Sequence, residues 1–150
     1  KPLHQTFDDS NKYDPALRRE SNLEFDFSYG NTVEFWLNKG AFFNINANEV
    51  IFDLSNGGTI AGSDAGRLTI ELDPGASGGS PFVVTIESGS SAASFTLGSD
   101  ITTGTNSSGH RVLSNSNEWH HYAFAFLSSS SGTRVNFFQD GNLTETKTSS

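Results

Sequence analysis

Thr32-Val-Glu-Phe-Trp-Leu-Asn38 is the stretch on which the fold turns. Val33, Phe35 and Leu37 alternate there with Glu34, Trp36 and Asn38. A period of two belongs to a β-strand, whose successive side chains leave the backbone on opposite faces. Just upstream, Leu23, Phe25 and Phe27 alternate with Glu24, Asp26 and Ser28 in the same way. Downstream, apolar or alternating runs predict further strands over residues 49–54, 67–73, 82–87, 93–97, 119–127, 134–139 and 143–147. The segments between them are rich in Asn, Gly and Ser, and no helix-period stretch longer than a few turns interrupts the series. Asp140-Gly141 supplies the positive-φ pair of a tight hairpin between the last two runs. The connection 98–117 is too long for a plain hairpin loop. It contains Ile101, Val112 and Leu113, so it either holds a short strand or lies across a sheet face.

The expected fold is all-β: a two-sheet antiparallel sandwich or jelly roll over residues 23–150, preceded by an extended N-terminal arm over residues 1–22. The arm is mostly polar, with Phe7, Tyr13 and Leu17 as isolated apolar anchors and Pro2 and Pro15 against regular pairing. Asp14 suits the N-cap of a single helical turn over residues 15–20.

A chain of 150 residues suits one domain with a two-layer core, and 13 Phe, 3 Tyr and 2 Trp provide the bulk to fill it. With no cysteine there are no disulfides and no thiolate sites. No run approaches the length of a membrane-spanning helix, so membrane insertion is not expected. The net charge of −8 is uneven: residues 1–20 are balanced, and the remainder holds five basic against thirteen acidic side chains. A body of that sign repels phosphate backbones, which excludes nucleic acid as the expected partner.

Two segments together resemble the laminin-G-like family of concanavalin-A-like sandwiches. The first is Thr32–Asn38, with Glu34, Phe35 and Trp36 matching an early hydrophobic-Glu-Phe-Trp-hydrophobic strand. The second is Glu118-Trp-His-His-Tyr-Ala-Phe-Ala-Phe126. There Trp119 and His120 match a Trp-His strand, and the later hairpin carries Asp140 and Gly141. The likeness covers roughly residues 23–147, and it implies a recognition or structural module on an extracellular or virion surface. Partners so implied are other copies or other subunits of a larger assembly, or a cell-surface glycan; calcium at a loop rim is a further implication. Both indoles are expected in the core, with Glu34 or a backbone carbonyl accepting from a buried indole N–H. Family members usually close with a further strand, whereas residues 146–150 read Thr-Lys-Thr-Ser-Ser. The body is therefore expected to lack its closing strand or to continue beyond this fragment. An open sheet edge needs cover, so the arm or that edge is expected to contact another chain or more of the same one.

Catalytic constellations are sparse. Glycoside hydrolysis needs two carboxylates flanking the scissile bond. Glu71 and Asp73 have same-face strand spacing, but Pro74 and Gly75 follow where related glucanases carry a longer run with a second Glu. Glu24 and Asp26 read more simply as a solvated strand face. The chain is expected not to be an enzyme. Calcium wants six to eight oxygens, and Asp64 and Asp100 in Gly/Ser-rich loops are the better ligand candidates. His120 and His121 are adjacent, so on a strand they point to opposite faces and do not chelate one ion together. Gly104-Thr-Asn-Ser-Ser-Gly109 has phosphate-loop glycine spacing, but His110-Arg111 stands where Lys-Ser/Thr is required.

Overall fold

The computed structural model describes residues 29–55, 66–76 and 78–149. The N-terminal arm, its anchors Phe7, Tyr13 and Leu17, the expected strand around Phe25, and Asp64 lie outside the described residues. Ten strands and no helix make up the regular structure of the described part: β1 (Asn31–Asn38), β2 (Glu49–Ser55), β3 (Gly66–Leu72), β4 (Phe82–Ser88), β5 (Ser91–Leu97), β6 (Thr103–Thr105), β7 (Arg111–Leu113), β8 (Trp119–Ser129), β9 (Gly132–Gln139) and β10 (Asn142–Thr148). They form two four-stranded antiparallel sheets, β1-β8-β9-β10 and β2-β3-β4-β5, with a two-stranded ribbon β6-β7. That ribbon occupies the long connection after β5, and its Leu113 is buried, as is Ile101 just ahead of it.

Alternation decides what is inside. In the first sheet Val33, Tyr122, Phe124, Phe126, Val135 and Phe137 are buried, while Phe35 and Leu37 are partly covered and pack against them. In the second, Leu68, Ile70, Leu72, Phe82, Val84, Ile86, Phe95 and Leu97 are buried. The two inner faces meet directly: the Phe82 ring lies 4.9 Å from Tyr122, 5.4 Å from Phe124 and 5.4 Å from Phe137. Offset and tilted aromatic pairs of this kind add about 0.5–1.5 kcal/mol each beyond the area they bury.

Turn chemistry follows the sequence. Asp140 and Gly141 have φ of 50° and 80° between β9 and β10, the left-handed pair of a tight hairpin. A register shift between Leu143 and Glu145 then re-aims β10. Glu145 thereby pairs with the buried Phe137 and points to the inner side of the sheet. There it accepts from the backbone N–H of Gly98 (2.9 Å) and Ser99 (3.3 Å), and its other oxygen pairs with Lys147 (3.1 Å). Lys147 also donates to the Thr96 carbonyl of β5. This pair ties the edge of one sheet to the edge of the other.

Removing the carboxylate strands a buried N–H on Gly98. A charge-assisted hydrogen bond is worth roughly 1.5–3 kcal/mol, so Glu145→Ala should cost about 2 kcal/mol. A lower urea midpoint with an unchanged slope is expected; a midpoint that does not move would show that the tie is dispensable.

Candidate functional site

The same alternation that fills the core selects what faces outward on the β1-β8-β9-β10 sheet. Tyr122, Phe124 and Phe126 point in, so Trp119 and His121 point out; Val33, Phe35 and Leu37 face the core, so Trp36 points out. Trp36 and Trp119 are each 65% exposed, which corrects the expectation that both indoles sit in the core. The physical reason is parity: a strand that buries its Phe and Tyr neighbours has no inward position left for these rings.

Register brings the two indoles together. Trp36 is directly opposite His121, and Asn38 is directly opposite Trp119, so the tryptophans are diagonal neighbours on adjacent strands. Diagonal partners in an antiparallel pair are roughly 7–8 Å apart. The His121 ring leans on Trp36 at 5.2 Å between centroids. Glu34, on the same face, reaches 3.6 Å from His121 Nε2 and is not the acceptor expected for a buried indole. Across the sheet the face continues through Ala123, the half-buried Phe138 and the exposed Leu143, which lie at one level. The result is a flat apolar stripe with the Glu34 carboxylate at its margin.

Asp140 holds the stripe's upper end in place. Its Oδ2 accepts from His120 Nδ1 at 2.8 Å and its Oδ1 from the His121 backbone N–H at 2.9 Å. The Asp140 N–H in turn donates to the His121 carbonyl at 2.8 Å. The His120 hydrogen bond, then that of the His121 backbone, hold the Asp140 carboxyl below its ordinary value of 3.8. His120 Nε2 is buried without a hydrogen-bond partner, Glu118 standing 3.6 Å away, too far for a bond. Burial pushes the neighbouring Tyr122 phenol up, and Asn115 Nδ2 donates to it at 2.7 Å.

The other candidate residues are placed apart. Glu71 accepts from Asn48 on the second sheet (3.1 Å), and Asp73 accepts from the Gly75 N–H in the turn after β3 (2.6 Å). Both carboxylates serve local structure. Asp100 is exposed in the turn after β5, and no group of three or more His, Cys, Asp or Glu suited to a metal occurs among the described residues. The phosphate-loop look-alike forms the β6–β7 turn, where Asn106 Oδ1 accepts from Ser108 and His110. Beside β1, an open groove of about 540 Å³ runs along the side of the core, lined by Phe35, Leu37, Ile51 and Phe52 among others. No family model, curated protein or solved structure matches this chain.

Two outcomes check this geometry. Trp36→Ala and Trp119→Ala should each cost under about 1 kcal/mol, the surface range, whereas Phe124→Ala should cost about 3–5 kcal/mol. Urea unfolding of the three variants separates a surface indole from a core one. Asp140→Asn tests the clasp through pH. Because the folded-state carboxyl is held low, its contribution is complete above 3.8 and is lost as pH falls through the lower folded value. Asp140 is 43% exposed, so the contribution is at most about 1 kcal/mol, or roughly 2–4 °C in Tm. The difference between variant and parent should be present at pH 7 and close as pH falls through the lowered folded value; a difference that persists below it would assign it to the turn and not to the charge.

Proposed function

We propose that this chain is a non-enzymatic recognition module of an extracellular or virion-surface assembly. Its framework is read as a laminin-G-like, concanavalin-A-like jelly roll, and its working surface as the outer face of the β1-β8-β9-β10 sheet. The observation that carries this is the pair of indoles, Trp36 and Trp119, side by side and 65% exposed. Aromatic rings are costly to leave in water and are enriched where one surface meets another. Two on one face, framed by Phe138 and Leu143, go beyond the scattered single exposures that need no explanation. Glu71 and Asp73, the pair with hydrolase-like spacing, are engaged by Asn48 and Gly75, which supports a binding role over hydrolysis.

A second reading, a free-standing lectin-like module, is favoured by the same two rings, since a flat face with paired indoles suits stacking on pyranose units. Both readings predict that the double variant Trp36→Ala/Trp119→Ala keeps the β-type circular dichroism spectrum and loses binding. Purified protein is to be screened on a glycan array and, in parallel, for self-association by sedimentation velocity. A signal in either that the double variant abolishes is expected. Signals unaffected by the double substitution would remove this face from consideration. Release of reducing ends from a glycan panel, lost in Glu71→Gln, would overturn the non-enzymatic reading.

A further inference from the structure

The Trp36–Trp119 face carries charge as well as rings. Glu34 stands on this face with its side chain 67% exposed. It meets the His121 imidazole at 3.6 Å, beyond hydrogen-bond range, so its carboxylate oxygens remain able to accept. Among the described residues, cations are withdrawn from this end of the sheet. Lys39 is committed to Glu49 at 3.1 Å and to the Ala41 carbonyl at 2.9 Å. Arg134 faces the same way but pairs with Leu127, six residues along β8 from His121, which is roughly 20 Å. Negative charge therefore adjoins two indole faces, whose π-clouds are themselves negative.

We propose that this face takes a cationic, arginine-bearing segment of a protein partner. The inference rests on the reading of the face as a recognition surface and adds the chemistry of what it recognises. A guanidinium is planar, stacks on indole and offers a fork of N–H donors to a carboxylate. Rings supplied by Trp36 and Trp119, with the acceptor oxygens of Glu34, meet both requirements at once. The chain already uses this combination on a smaller scale. Lys39 Nζ sits 4.4 Å from the Phe42 ring centroid while its ion pair with Glu49 closes at 3.1 Å. Charge argues against the other occupants. A second copy would bring the same carboxylate and a net charge of −8 against this face, and an anionic glycan or nucleic acid would be repelled. A neutral glycan would stack on the rings but leave the negative field unused.

The test uses the whole chain and a short peptide of alternating Arg and Gly. A Lys-Gly peptide of equal charge, a Glu-Gly peptide and a panel of neutral oligosaccharides complete the set. Binding is read by calorimetry and by tryptophan emission. The Arg peptide should bind more tightly than the Lys peptide, and the Glu peptide should not bind. Trp36→Ala or Trp119→Ala should weaken Arg-peptide binding about tenfold. Glu34→Gln should weaken it comparably, and Glu87→Gln, on the opposite sheet, should leave it unchanged. Equal affinity for Arg and Lys peptides, or equal weakening by Glu87→Gln, would reduce the effect to diffuse charge and overturn the inference. Tryptophan-dependent binding of a neutral oligosaccharide without Arg-peptide binding would also overturn it, while leaving the face as a recognition surface. No binding of any probe, with assembly unaffected by the double tryptophan variant, would remove both.

Discussion

Phe82 is the hinge of the molecule's energetics. It comes from the β2-β3-β4-β5 sheet and lies against three rings of the other, Tyr122, Phe124 and Phe137, all within 5.4 Å. Those three also touch one another or Phe35: Phe124 and Phe137 at 5.0 Å, Tyr122 and Phe137 at 6.1 Å, Phe35 and Phe124 at 6.0 Å. A sheet buries one face only if another layer covers it, and here the cover is a set of interlocked rings. Every register in both sheets must agree with that meeting. A slip of one residue in β8 would turn Tyr122, Phe124 and Phe126 to solvent and bring Trp119, His121 and two alanines inside.

The outward face is thus a consequence of the inward one. β8 must bury its even-numbered rings, which commits Trp119 and His121 to the outside. β1 must bury Val33, which commits Trp36. Antiparallel pairing of β1 with β8 then sets Trp36 against His121 and Trp119 against Asn38. This outward face needs no separate device to assemble it, because packing elsewhere fixes its geometry. Asp140 adds rigidity at the end where the rings lie, joining the start of β8 to the β9–β10 turn by both of its oxygens.

Much of this was legible in the sequence. Alternation located the eight longer strands to within two residues at each end, and Asp140-Gly141 marked its hairpin through the conformation that pair favours. The position of the indoles was legible as well, since Val33, Phe35 and Leu37 assign Trp36 to the opposite face. What obscured it was the general tendency of tryptophan towards burial, a statistical preference that strand parity overrides. Other features had no local signal. Glu145 reads as a solvated strand residue, yet the register shift after Leu143 turns it inward to cap Gly98, 47 residues away in the chain. The contact of Asp140 with His120 spans 20 residues and depends on two strands being neighbours.

The acidic composition takes on a different meaning once its members are placed. Asp53 is held by a bidentate contact to Arg67, Glu49 by Lys39, Asp73 by a turn N–H, and Glu145 by Gly98 and Lys147. Asp140 is spent on the β8 clasp. A carboxylate engaged in this way has its field largely answered by its partner and does little to define the surface. Glu34 and Glu118 differ, since each faces an imidazole at a distance too long for a hydrogen bond. The net charge of the chain therefore understates how local its unanswered charge is. Part of that charge, on Glu34, lies beside the two exposed indoles, where the preference for a cation is set by both the carboxylate and the ring faces.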